Sequence, residues 1–200
     1  DEKFWVGENI ENQGNEGYLT AHTRKTKYLV CSGMKYNVIV DGQEHAVFIE
    51  NETREKYIQS SFTIDAQQNR QIVLVKYGVN TSSEYFPRTR LLAESKEILN
   101  EAFDIGFDQL LDDHKKAWAE KWENSDIVIE GDVAAQQGIR FNIFQLNQTY
   151  TGDDERLNIG PKGFTGEKYG GSTYWDTEAY CFPFYLSTAP QYVARNLLLY

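Results

Sequence analysis

Residues 159–186, IGPKGFTGEKYGGSTYWDTEAYCFPFYL, carry the densest chemistry in this chain. The stretch opens as a polar, glycine-rich loop from Gly160 to Gly171 and turns at Thr173 into an aromatic and apolar run. Gly163, Gly166, Gly170 and Gly171 permit a backbone that turns tightly or approaches a ligand closely. At the end of the loop stand Tyr174, Trp175 and Asp176. A flat indole can cover the C–H face of a pyranose ring, and a neighbouring carboxylate can accept hydrogen bonds from ring hydroxyls. Small-molecule sites combine such an apolar wall with a few placed polar groups. Trp175 and Asp176 are therefore the candidate sugar-binding residues.

A purely structural reading fits the same letters. Thr173 and Asp176 have the spacing of a capping box, which makes Thr173 the N-cap of a helix entering TEAYCFPFYL and sends Trp175 into the core. The two readings are compatible, because a residue fixed by a cap is a rigid place from which to bind. Asp176 and Glu178 do not form a catalytic carboxylate pair on a helix, since positions i and i+2 do not face each other. Asp176 is accordingly read as the binder and Glu178 as a supporting group. Glu167, in the glycine loop, is a further carboxylate, more simply explained as solvated. The loop is not a nucleotide site, because it lacks the G-x-x-x-x-G-K-[ST] spacing and no strand precedes it.

Outward from this stretch, composition narrows the classes. The chain has 200 residues, 40% hydrophobic and 25% charged, with material for a real core. Its net charge of −10 argues against a nucleic-acid partner or an anionic membrane surface. No apolar run approaches the roughly 20 residues of a membrane span. Cys31 and Cys181 suggest neither a disulfide framework nor a metal site, and His22 and His45 are isolated. Three glycosylation sequons, at Asn51, Asn80 and Asn147, read as coincidence in a cytoplasmic protein. The absence of an initial methionine and the apolar run at the last residues make a fragment of something longer the expectation.

Residues 1–87 read as antiparallel β-structure. GYLTAHT, KYLVCSG, YNVIVDG, HAVFIENE, IQSSFTIDA and RQIVLVKYGVN are rich in β-branched and aromatic residues, with turns expected at Ser32-Gly33, Asp41-Gly42 and Gln67-Gln68-Asn69. Tyr18, Tyr28, Tyr36, Tyr57 and Tyr77 are more simply core or cross-strand partners than ligand contacts. Residues 88–124 take on a helical period, with Leu91, Leu92, Ser95, Ile98, Leu99, Ala102 and Phe103 on one face and a second helix after Gly106. His114 is expected to be packed beside that second apolar stripe. From residue 125 the pattern predicts a short strand, SDIVIEGD, and then a helix from Val133 to about Tyr150 capped by Asp132. Gly138 inside it costs about 1 kcal/mol relative to alanine, which points to close packing there.

Several runs also resemble glycoside hydrolase family 65. They are Gly160-Pro161-Lys162-Gly163-Phe164-Thr165-Gly166-Glu167 with Tyr169-Gly170-Gly171; Tyr174-Trp175-Asp176-Thr177-Glu178 with Pro183-Phe184-Tyr185; Arg140 to Leu146; and Ala194 to Leu198. The resemblance covers the last third of the chain. It implies a multidomain β + α architecture: the C-terminal part of an N-terminal antiparallel β-sandwich over residues 1–87, a helical linker over 88–124, and the first helices of an incomplete (α/α)6 catalytic barrel over 125–200. It also implies inverting phosphorolysis of an α-glucosidic disaccharide, maltose first, with trehalose, kojibiose or simple hydrolysis as alternatives. A non-catalytic carbohydrate-binding module is the alternative of another class. In the family Trp175 and Asp176 would line the subsite of the non-reducing glucose. The general-acid glutamate and the phosphate site are expected downstream, so no residue here is assigned as catalytic and the fragment alone is expected to be inactive. No metal or organic cofactor is implied. Inorganic phosphate is a co-substrate, and a homodimer is the assembly the resemblance suggests.

Overall fold

The computed structural model describes residues 4–160 and 172–199. The chain divides into two compact units, residues 1–112 and 113–200.

The first unit is built on one long strand. β3 (Leu29–Val40) pairs antiparallel with β2 (Glu16–Thr23) on one side and with β7 (Ile72–Ser82) on the other, and β1 (Trp5–Gln13) extends the sheet beyond β2. The expected turn at Ser32-Gly33 is not formed, because those residues lie in the middle of β3. Gly33 is registered opposite both Tyr18 and Val79. A side chain at that position would meet the Tyr18 ring at 2.6 Å and Val79 at 2.9 Å. The glycine makes room for a cross-strand aromatic rather than for a bend. Asp41-Gly42, with φ of 50° and 81°, does form a two-residue hairpin turn, from Val40 into β4 (Gln43–Glu44). Beyond β4 the HAVFI run is not a strand, and Phe48 lies exposed. β5 (Glu50–Arg54) and β6 (Tyr57–Ser61) make a separate hairpin. The Asn12 amide ties it to β1 by donating to the carbonyls of Glu52 and Gln59.

Helix α1 (Leu91–Ile105) packs on β3 and β7 through the face its period predicted, with Leu91, Ser95 and Leu99 buried. The core there joins Tyr18, Leu29, Cys31, Val79, Leu91 and Leu99. Tyr18 and Tyr36 are buried and Tyr77 packs against this core, in the structural role expected of them. Tyr57 is exposed, with Arg54 over its ring. Ser95, inside the apolar face, exchanges a 2.6 Å hydrogen bond with the Thr81 hydroxyl and donates to the Leu91 carbonyl, so burying it leaves no unpaired group. Gly106 closes α1 with φ 83°, a conformation that favours glycine.

Helix α2 (Phe107–Ser125) continues into the second unit. There Trp118 stacks on Phe144 of α3 (Val133–Thr149) with ring centroids 5.0 Å apart. His114 is exposed, its ring edge against Trp118, rather than packed within an apolar stripe. The strand expected over 125–132 is not formed. Side chains meet part of its backbone instead: Gln136 accepts from the Ile129 N–H and donates to the Ile127 carbonyl, and the Asp126 carboxylate accepts from the Ile127 N–H. Asp132 caps α3 as expected, accepting from the Ala135 N–H at 3.0 Å. Gly138 has no neighbour within 4 Å of where a side chain would start, so close packing does not account for it. No helix among the described residues is long and apolar enough to cross a membrane.

Candidate functional site

The site region is assembled around Tyr185. Its ring is 1% exposed, meets Tyr150 edge-on, and its hydroxyl donates to the Leu146 carbonyl at 2.7 Å. Ile159, Ala194 and Leu197 complete the buried cluster, with Cys181, Phe182 and Phe184 packed around it. Burial pushes the Tyr185 phenol well above its ordinary range, so it is a neutral structural donor rather than an acid. The Cys181 thiol is also raised, first by burial and then by the charge of Asp176, which keeps it protonated and unsuited to nucleophilic attack.

From this base the chain enters a widened helical turn, Thr177–Cys181, followed by α4 (Phe182–Thr188). Pro183 has no N–H to return to the carbonyl of Ala179, and such a loss favours a local change of helical pitch. The Thr177 hydroxyl anchors the turn by donating to the Ile159 carbonyl at 2.7 Å. The capping box is not formed. Asp176 is already helical in its backbone, no side chain caps this start, and the Thr173 hydroxyl instead accepts from the Asn158 amide. Without the cap, the indole does not enter the core either: Trp175 is 68% exposed.

Thr173, Tyr174, Trp175, Glu178 and Ala179 line an open concavity of about 550 Å³. Tyr180, five residues after Trp175, brings its ring to 5.8 Å from the indole, a separation the widened turn permits. The two sequence candidates are thus placed differently. Trp175 opens on the concavity, whereas Asp176 is half-buried, does not line it, and acts electrostatically on Cys181. Glu178, read from the sequence as a supporting group, does line the concavity; the signal for it was its i+3 spacing from Trp175. The glycine loop 161–171, with Glu167, lies outside the described residues. Among the described residues no group of three or more His, Cys, Asp or Glu side chains could hold a metal ion.

Residues 1–121 match the glycosyl hydrolase family 65 N-terminal domain, and residues 140–200 match the family's central catalytic domain. The maltose phosphorylase of Bacillus subtilis (strain 168) is 41% identical over 199 residues, which is 100% of this chain and 26% of that protein. The alpha,alpha-trehalose phosphorylase of Thermoanaerobacter brockii is 31% identical over 188 residues, 94% of this chain and 24% of that protein. A solved structure from the human microbiome, provisionally assigned as a kojibiose phosphorylase, superposes with a TM-score of 0.84 at 29% identity. It covers 98% of this chain and 25% of its own. The chain therefore spans about a quarter of the length of these relatives.

Proposed function

Since the chain belongs to glycosyl hydrolase family 65, we propose that the protein to which it contributes is an inverting disaccharide phosphorylase. Its preferred reaction is maltose and phosphate to β-D-glucose 1-phosphate and D-glucose. The observation that carries this reading is an exposed indole, Trp175, opening on a concavity within a chain 41% identical along its whole length to a maltose phosphorylase. The 31% identity to a trehalose phosphorylase keeps other α-glucosides in second place.

The chemistry follows from inversion. A carboxylic acid protonates the glycosidic oxygen as the bond to the anomeric carbon breaks, and a nucleophile attacks that carbon from the opposite face. A phosphate oxygen serves as the nucleophile, so no protein base is needed to activate water. This chain's share is binding and orientation: Trp175 covers one face of the non-reducing glucose, and Asp176, half-buried and outside the lining of the concavity, is assigned to the same subsite. Holding the sugar in one pose is a large part of what such a site supplies. The general acid is assigned to a later segment of the protein, and no metal or organic cofactor takes part.

The test is an assay of the full-length protein with maltose, trehalose and kojibiose, each with and without inorganic phosphate. Phosphate-dependent cleavage, fastest with maltose, is expected. Glucose release that does not depend on phosphate would replace the phosphorylase by a hydrolase. A protein that binds these sugars and cleaves none of them under either condition would be a binding module.

A further inference from the structure

We infer that Glu178 is a second sugar-binding carboxylate of this site, contacting the hydroxyls of the sugar that stacks on Trp175; the inference rests on the binding role proposed above for the indole. Three observations converge on it. Trp175 and Glu178 open on the same concavity, whose volume of about 550 Å³ lies within the range of roughly 300–1,000 Å³ common for small-molecule sites. Glu178 follows Trp175 by three residues, and the Ala179 N–H bonds the Trp175 carbonyl at 3.0 Å, which ties the indole's backbone to the turn that carries Glu178. Ala179, the remaining helical residue of the lining, is too small to fill the space between them.

The Thr173 hydroxyl is engaged by Asn158, and Asp176 does not line the concavity. Among the residues lining it, Glu178 is the carboxylate. A carboxylate has two oxygens and only accepts hydrogen bonds, which suits a pair of adjacent ring hydroxyls. Trp175 takes the apolar C–H face, and Glu178 takes the hydroxyl edge. Glu178 is thus a specificity-determining contact and transfers no proton in this scheme.

The experiment uses the full-length protein and its Glu178→Gln and Glu178→Ala variants. Steady-state kinetics separate KM for the disaccharide from kcat, and a series of substrates each lacking one hydroxyl of the non-reducing sugar is run in parallel. Loss of a hydrogen bond to a charged group predicts a rise in KM of about 10- to 100-fold in Glu178→Ala and less in Glu178→Gln, with melting temperatures unchanged. At least one deoxy substrate should be discriminated by the wild type and not by Glu178→Ala. If both proteins discriminate every deoxy substrate equally, or if the variants lose melting temperature while KM stays fixed, Glu178 is structural and the inference falls. Calorimetric titration with glucose keeps this test separate from the reaction assignment. A wild type that binds glucose but cleaves nothing overturns the phosphorylase reading, while the binding difference between wild type and Glu178→Ala still decides the role of Glu178.

Discussion

Gly33→Ala should be among the most damaging single-methyl additions in the β unit. Gly33 lies at the centre of β3, registered opposite Tyr18 on one neighbour and Val79 on the other. The added carbon would stand 2.6 and 2.8 Å from two atoms of the Tyr18 ring and 2.9 Å from a Val79 methyl. Tyr18 is 2% exposed and held among Leu29, Cys31, Leu91 and Leu99, so the ring has nowhere to swing. Overpacking of a filled core costs about 1–3 kcal/mol. That corresponds to a fall of roughly 5- to 140-fold in the closed-to-open equilibrium of these strands. Hydrogen exchange of the β2 and β3 amides, followed by mass spectrometry, reads that equilibrium directly. Gly78→Ala is the internal control. It sits in the same sheet, opposite Met34, and its added carbon would meet only the Gly33 carbonyl, at 4.0 Å. It should leave protection unchanged or raise it. Equal protection in Gly33→Ala and the wild type would refute the packing argument.

Other expectations concern the second unit and the titration of the core. Gly138→Ala should stabilise α3 by about 0.5–1 kcal/mol, because the helix gains propensity and nothing stands within 4 Å of the new methyl; slower amide exchange in α3 is the readout. Asp132→Ala removes the acceptor of the Ala135 N–H and should cost about 1 kcal/mol, seen as fraying of the first turn in the same measurement. The Tyr18 phenol is pushed up to about 12, first by burial and then by the charge of Glu16. Its folded value lies above its unfolded one. Its contribution is therefore complete below pH 10 and is lost as pH rises through 10 toward 12 and beyond. Ultraviolet titration of phenolate formation should show Tyr18 ionising together with unfolding, and Tyr18→Phe should weaken that alkaline loss.

Much of this architecture was legible in the residues, and the errors share a cause. The α1 face, the Asp132 cap and the Asp41-Gly42 turn depend on local spacing and backbone preference, which a single sequence carries. Ser32-Gly33 reads as a turn because glycine is ambiguous without its neighbours. Only the register shows that Gly33 accommodates a tyrosine from the next strand. SDIVIEGD alternates like a strand, but alternation cannot reveal that the Gln136 side chain meets its backbone instead of a partner strand. At the site, the motif located Trp175 and Asp176, and it gave Glu178 only a supporting role, because positions i and i+2 of a regular helix do not face each other. Glu178 stands three residues after Trp175 and lines the same concavity, and the missing cap leaves the indole exposed rather than in the core. The widened turn itself, Thr177–Cys181, is not displayed by the letters.

The central claim is that the site serves inverting phosphorolysis. Its most direct test is proton and phosphorus NMR of the sugar phosphate formed when the full-length protein acts on maltose in phosphate buffer. Attack by phosphate on the face opposite the leaving sugar predicts the β-anomer of glucose 1-phosphate as the initial product. The α-anomer, or free glucose with no phosphorylated sugar, would contradict the account.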